Sequence, residues 1–211
     1  MNTRGMNIRI LKKIVISTLC LVPFLILVVR AATFNLGANP VQALMLSSGD
    51  WTMRILLAML AVTPVSRLTG WKKVEWLRRP LGLFALFYVC VHFMIYIGID
   101  YFFKVGLIVH EALKNPSVIV GFGVFLIIVL LGITSFRSVM RRMDAKCWKI
   151  IHRLVYVVGV GGVVHYLLKV KVIPVELIVY TSILLVLLLF RIAWFLIKGG
   201  TLIPAVKTES V

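Results

Sequence analysis

Between Asn115 and Arg137 the chain runs for 21 residues, PSVIVGFGVFLIIVLLGITSF, without a charged side chain. A helix rises about 1.5 Å per residue, so such a run extends about 30 Å, the thickness of a bilayer's hydrocarbon core. The spacing predicts a membrane-spanning helix over 116–136. Similar runs predict five more spans, at 10–34, 51–68, 80–100, 147–170 and 174–197. The second is the weakest, because Arg54 falls in its first turn and must snorkel or find a partner. The segment before it, NLGANPVQALMLSSGD, carries Gly and Pro and reads as a loop. YFFKVGLIVHEALKN, at 101–115, mixes apolar and charged faces and reads as an interfacial helix.

The expected fold is therefore all-α, a polytopic membrane helix bundle of six spans. Its divisions are an N-terminal segment 1–9, a bundle 10–197 and a polar tail 198–211. Of the 211 residues, 61% are hydrophobic, above the roughly 45–50% of a soluble domain. Six spans use most of the chain, so no nucleotide-binding or flavin-reductase domain is expected. The basic N-terminus ahead of an apolar run resembles a signal peptide. It lacks a small-residue cleavage site and is read as a retained first helix.

The net charge of +17 does not point to nucleic acid, because the basic residues lie in short clusters between apolar runs. With the N-terminus in the cytoplasm, 18 of the 24 Lys and Arg fall on the cytoplasmic side and 6 on the other. That asymmetry places both termini inside and the basic loops against anionic lipid. Cys20, Cys90 and Cys147 are far apart and form no CxxC or CxxCH, so neither disulfides nor c-type haem attachment is indicated. No phosphate-binding glycine loop or zinc-finger spacing occurs.

Ionisable groups inside spans are functional suspects. His92 lies deep in the third span and His165 deep in the fifth, two helices running in the same direction. His92 is about 18 Å along its helix from Pro80, and His165 about 20 Å from His152. The two therefore share a depth in the outer half. Two facing imidazoles are the ligand set of a b-type haem; the alternative is a helix–helix hydrogen bond from each. His152 lies at the inner face, level with Arg78. It is a candidate ligand for a second haem, or a partner for a carboxylate or flavin phosphate, or an interfacial histidine among headgroups. Arg78 and Arg153 are candidate partners for propionate or phosphate, and Arg54 for a propionate on the outer side. In one ideal helix His152 and His165 would stand about 140° apart. Gly159, Gly161 and Gly162 between them could permit a kink or close haem approach, or serve as packing sites. His110, in the interfacial segment, is read as a surface side chain.

The runs RRPLGLFALFYVCVHFMIY and TSFRSVMRRMDAKCWKIIHRLVYVVGVGGVVHYLL resemble the MsrQ family, formerly YedZ. NLGANPV, LLAMLAVTPVSRL and KVKVIPVELIVY are similar to it as well. That family is the haem-binding membrane subunit of a periplasmic methionine-sulfoxide reductase system. Its ferric-reductase-like transmembrane domain holds stacked haems between paired histidines on the third and fifth spans. This chain matches three of the four positions, with His92, His152 and His165, and has Arg78 at the fourth. The resemblance implies one or two b-type haems, and FMN. It implies electrons from the quinone pool or a cytoplasmic flavin reductase, passed in the bacterial inner membrane to the periplasmic molybdopterin reductase MsrP. Two other readings are a self-contained transmembrane ferric or oxygen reductase, and a haem-free transporter or scaffold.

Overall fold

A computed structural model describes residues 3–197, with side chains from residue 10 onward. The predicted tail 198–211 lies outside the described residues. The helices, in chain order, are α1 (Thr3–Ala32), α2 (Pro40–Thr69), α3 (Arg78–Met94), α4 (Val105–Lys114) and α5 (Pro116–Thr134). A single turn, α6 (Arg137–Met140), precedes α7 (Ala145–His152), α8 (Leu154–Lys169) and α9 (Val175–Ile197). A 3-10 segment, Lys72–Leu77, leads into α3, and a π-helical turn, Ile95–Asp100, ends it. No strand occurs among the described residues. Six segments are long and apolar enough to cross a membrane: Ile10–Ala32, Pro40–Thr69, Lys72–Asp100, Pro116–Thr134, Ala145–Lys169 and Val175–Ile197. The chain is a multi-pass membrane protein built as an all-α bundle.

α5 shows how such a helix is solvated. Ile119, Phe122, Leu126, Leu130 and Ile133 form an exposed stripe at steps of three and four residues. In water that stripe would be costly; against acyl chains it is the appropriate surface. The opposite stripe contains Ser117, Gly121, Ile128 and Gly132 and faces the bundle. Apolar burial does not drive helices together in lipid, so close packing at small residues takes its place. A Cβ on Gly132 would run into Leu86 of α3, and one on Gly161 would stand 2.5 Å from Val124 of α5. α2 packs chiefly on α3, and α5 on α8. Tyr88 is fully buried and donates to the Cys20 carbonyl at 2.8 Å, tying α3 to α1. All three cysteines are free thiols, and Cys20 is buried as a small side chain.

Two boundaries differ from the sequence expectation. α2 begins at Pro40, not near 51, so most of the expected loop is helical. Asn39 caps it, its side chain accepting from Gln42 N at 3.1 Å, and Pro40 fills the first turn. Ser48, read as a loop residue, donates back to the Leu44 carbonyl at 2.8 Å and stays helical. Arg54 consequently sits at the middle of a 30-residue helix rather than in its first turn. The expected fifth span is interrupted at Arg153, between α7 and α8. Arg153 N bonds Ile150 O at 3.1 Å, and Tyr156 N bonds Arg153 O at 3.1 Å, in a tight turn. The three glycines lie within continuous α8, where they are packing sites: Gly159 meets Leu184 and Leu60, and Gly162 meets Met53.

Candidate functional site

His92 of α3 and His165 of α8 face each other inside the bundle. Their ring centroids are 6.3 Å apart and their planes nearly perpendicular, at 89°. Each ring is fixed through Nδ1. His92 Nδ1 lies 3.1 Å from the Met45 carbonyl and 3.1 Å from Ser48 Oγ on α2. His165 Nδ1 lies 2.7 Å from the Ser117 carbonyl on α5. A carbonyl can only accept, so in each neutral imidazole Nδ1 carries the proton and Nε2 keeps its lone pair. This is the orientation that metal-ligating histidines show, with the far nitrogen anchored to a backbone carbonyl.

Glycines let the rings lie this close to neighbouring helices. A Cβ on Gly121 would stand 2.7 Å from His165 Cε1 and Nδ1, so a ring held in this position excludes any larger residue. A Cβ on Gly49 would stand 3.4 Å from His92 Cε1. Immediately after His92, α3 passes into the π-helical turn Ile95–Asp100, a local form that recurs at functional sites. Phe93, Phe122 and Phe125 stack beside it, the closest pair of rings 4.2 Å apart.

The pair fits a haem iron. Two imidazoles bonded through Nε2 to one metal at about 2 Å each place their ring centres roughly 6 Å apart. Among the described residues no cluster of three or more His, Cys, Asp or Glu could complete a bare-metal site. A metal held by this pair must therefore bring its own equatorial ligands, as a porphyrin does.

His152 ends α7 and is engaged differently. Its Nε2 is 3.2 Å from Thr134 Oγ1, and its ring stacks on Trp148 at 4.0 Å. Thr134 Oγ1 donates to the Leu130 carbonyl at 2.9 Å, so His152 Nε2 is the donor in the bond between them. His152 thus shows the opposite tautomer to the other two. Both His152 and His165 meet α5, one at Thr134 and the other at Ser117.

Arg78 lies 3.5 Å from Glu75, which accepts from Ser66 at 2.9 Å, and its Nε is buried without a partner. Arg153 is exposed at the turn. Arg54 donates from Nε to the Tyr180 hydroxyl of α9 at 2.9 Å and lies over the Trp51 ring at 4.9 Å. Asp50, one turn away, and Glu176 share the same electrostatic environment. Arg54, expected to snorkel or to find a partner such as a propionate, therefore has protein partners, because its mid-helix position brings it to Tyr180. His110 is exposed on α4, as expected.

Sequence reading missed Ser48, Gly49, Ser117, Gly121 and Thr134. The available signal was small residues at helical spacing on α2 and α5, Ser117 and Gly121 being one turn apart.

Residues 48–163 match the family described as ferric reductase like transmembrane component. Three curated proteins similar to this chain each bear the description protein-methionine-sulfoxide reductase heme-binding subunit MsrQ. That of Rhodospirillum rubrum is 40% identical over 93% of this chain and 90% of its own length. That of Ralstonia nicotianae is 40% identical over 86% and 85%. That of Herminiimonas arsenicoxydans is 40% identical over 82% and 81%.

Proposed function

Because the chain belongs to the MsrQ family of ferric-reductase-like membrane proteins, we propose that it is a membrane b-type cytochrome, in which His92 and His165 would hold the haem. The observation that carries this reading is the facing pair at 6.3 Å, each ring anchored through Nδ1 and each Nε2 left with a lone pair. When bound, the haem supplies a one-electron couple. The chain's residues hold the rings in register, set their tautomers and shut bulk water out of the bundle. Ser48 and the Met45 carbonyl orient His92; the Ser117 carbonyl orients His165. Such contacts also raise ligand basicity and so tune the couple. Arg54 is the basic group for a propionate on the outer side.

In this reading the basic loops and both termini face the cytoplasm of the bacterial inner membrane. Electrons come from the quinone pool or a cytoplasmic flavin reductase. They pass to a periplasmic molybdopterin methionine-sulfoxide reductase, MsrP, for repair of oxidised periplasmic proteins. His152, Arg78 and Arg153 serve the inner side, His152 toward a second haem or FMN and the arginines toward propionate or phosphate. The direct test is His92→Ala and His165→Ala, each purified after confirmed membrane insertion. Both should lose the low-spin b-type spectrum and most bound haem. Wild-type spectra in both variants would overturn the ligand assignment. Reoxidation of the reduced protein by MsrP rather than by a ferric chelate distinguishes an electron-transfer subunit from a self-contained reductase.

A further inference from the structure

At the end of the bundle that carries the basic loops, arginines converge away from the histidine pair. Arg191 of α9 is half-buried between helices, its guanidinium over the Tyr156 ring of α8 at 5.1 Å. Arg67, in the last turn of α2, lies over the Trp194 ring of α9 at 4.9 Å. Arg67, Arg78 and Arg153 all lie close enough to Arg191 to repel it. The carboxylate beside them, Glu75, is already held by Ser66 and Arg78, and Asp144 caps α7 by accepting from Lys146 N and Cys147 N. Beside Arg191 the surface where α2, α8 and α9 meet is apolar, formed by Leu60, Pro64, Tyr156, Leu187 and Leu188.

We propose that Arg67 and Arg191 bind the phosphate of an anionic phospholipid headgroup. Like charges gathered from separate helices are unfavourable unless an anion joins them. Guanidinium forks match phosphate oxygens, and the aromatic faces of Trp194 and Tyr156 hold the forks in place. The position selects a lipid over a soluble anion. Arg67 lies at the end of a spanning helix, beside a tryptophan at headgroup level, and the surface beneath is apolar. The net positive field disfavours lipids whose headgroup carries its own ammonium. Arg78 and Arg153 add to the field at the rim. The proposal does not depend on the haem assignment.

The test uses the full-length protein in nanodiscs of phosphatidylcholine alone or with phosphatidylglycerol. Thermal unfolding is followed by tryptophan fluorescence, and retained lipid is read by native mass spectrometry from detergent. Wild type should unfold at a higher temperature in the phosphatidylglycerol discs and retain phosphatidylglycerol in detergent. Arg67→Gln with Arg191→Gln should lose both effects while keeping its haem content. Arg67→Lys with Arg191→Lys, which keeps charge but not the fork, should lose part of each. Arg141→Gln with Arg142→Gln, an exposed pair on the adjoining loop, should lose neither. Equal unfolding temperatures for wild type in the two discs would overturn the site. So would equal loss in the Arg141 and Arg142 control, which would mean diffuse surface charge. An equal shift from inorganic phosphate or flavin mononucleotide in phosphatidylcholine discs would assign the cluster to a soluble phosphate instead.

Discussion

Gly121 offers the sharpest test of the histidine geometry, because it touches the site without belonging to any ligand set. An alanine there would put a Cβ 2.7 Å from His165 Cε1 and Nδ1, whereas ordinary contact begins near 3.4 Å. The ring must retreat by about 0.7 Å to relieve the clash. A retreat of that size along the 2.7 Å bond to Ser117 carries Nδ1 to the limit of hydrogen bonding. His165 then loses its anchor and its angle together. Loss of such a partner typically weakens metal retention by about 10–100-fold. The helix itself should not suffer, since alanine is favoured over glycine by up to about 1 kcal/mol in a helix interior. The assay is the rate of haem transfer to an apo-acceptor, with the low-spin absorption recorded alongside. Gly123→Ala is the matched control on the same helix, where a Cβ meets nothing within 4 Å. Gly49→Ala, whose Cβ would meet His92 at an ordinary 3.4 Å, should behave like the control. Haem retention in Gly121→Ala equal to that in Gly123→Ala would refute the argument that His165 is held as a ligand in this position.

Arg54→Leu is expected to weaken haem retention. Tyr180→Phe removes only the hydroxyl that Arg54 Nε reaches and should cost about 1 kcal/mol of stability, read from thermal unfolding, while keeping haem. Unchanged retention in Arg54→Leu would leave Tyr180 and Asp50 as its whole partner set. His152→Ala should slow reduction by a cytoplasmic donor and spare the spectrum of the His92–His165 haem. Reduction at the wild-type rate by every donor would remove His152 from the path.

Much of the fold was legible because lipid imposes a coarse rule. The uncharged run ending at Phe136 could be little else than a span, and α5 covers Pro116–Thr134. The errors fell where local chemistry overrode composition. Residues 40–50 contain Pro, Gly and two serines, ordinary signs of a loop. Yet Pro40 opens a helix, Ser48 folds its hydroxyl back onto the helix, and Gly49 lies against His92. The same residues that argued against a helix in isolation belong to the site. Matched depth on parallel helices brought out His92 and His165, because ionisable groups are conspicuous among Leu and Val. Their anchors are two backbone carbonyls and the Ser48 hydroxyl. A carbonyl has no residue identity, so no reading of side-chain types could have found it.

α5 serves as a common ruler for the two levels of histidine. His165 meets it at Ser117 and His152 at Thr134, 17 residues apart by their numbering, or about 25 Å along the helix. Between the two histidines the turn at Arg153 interrupts the regular backbone hydrogen bonds, near the basic end. The two levels nonetheless differ in chemistry. At the His92–His165 level both Nε2 atoms keep lone pairs, because carbonyls accept from the Nδ1–H groups. At the His152 level Nε2 carries the proton and donates to Thr134 Oγ1. Of the two levels, the His92–His165 level therefore offers Nε2 lone pairs to a metal without a change of tautomer, whereas the His152 level does not.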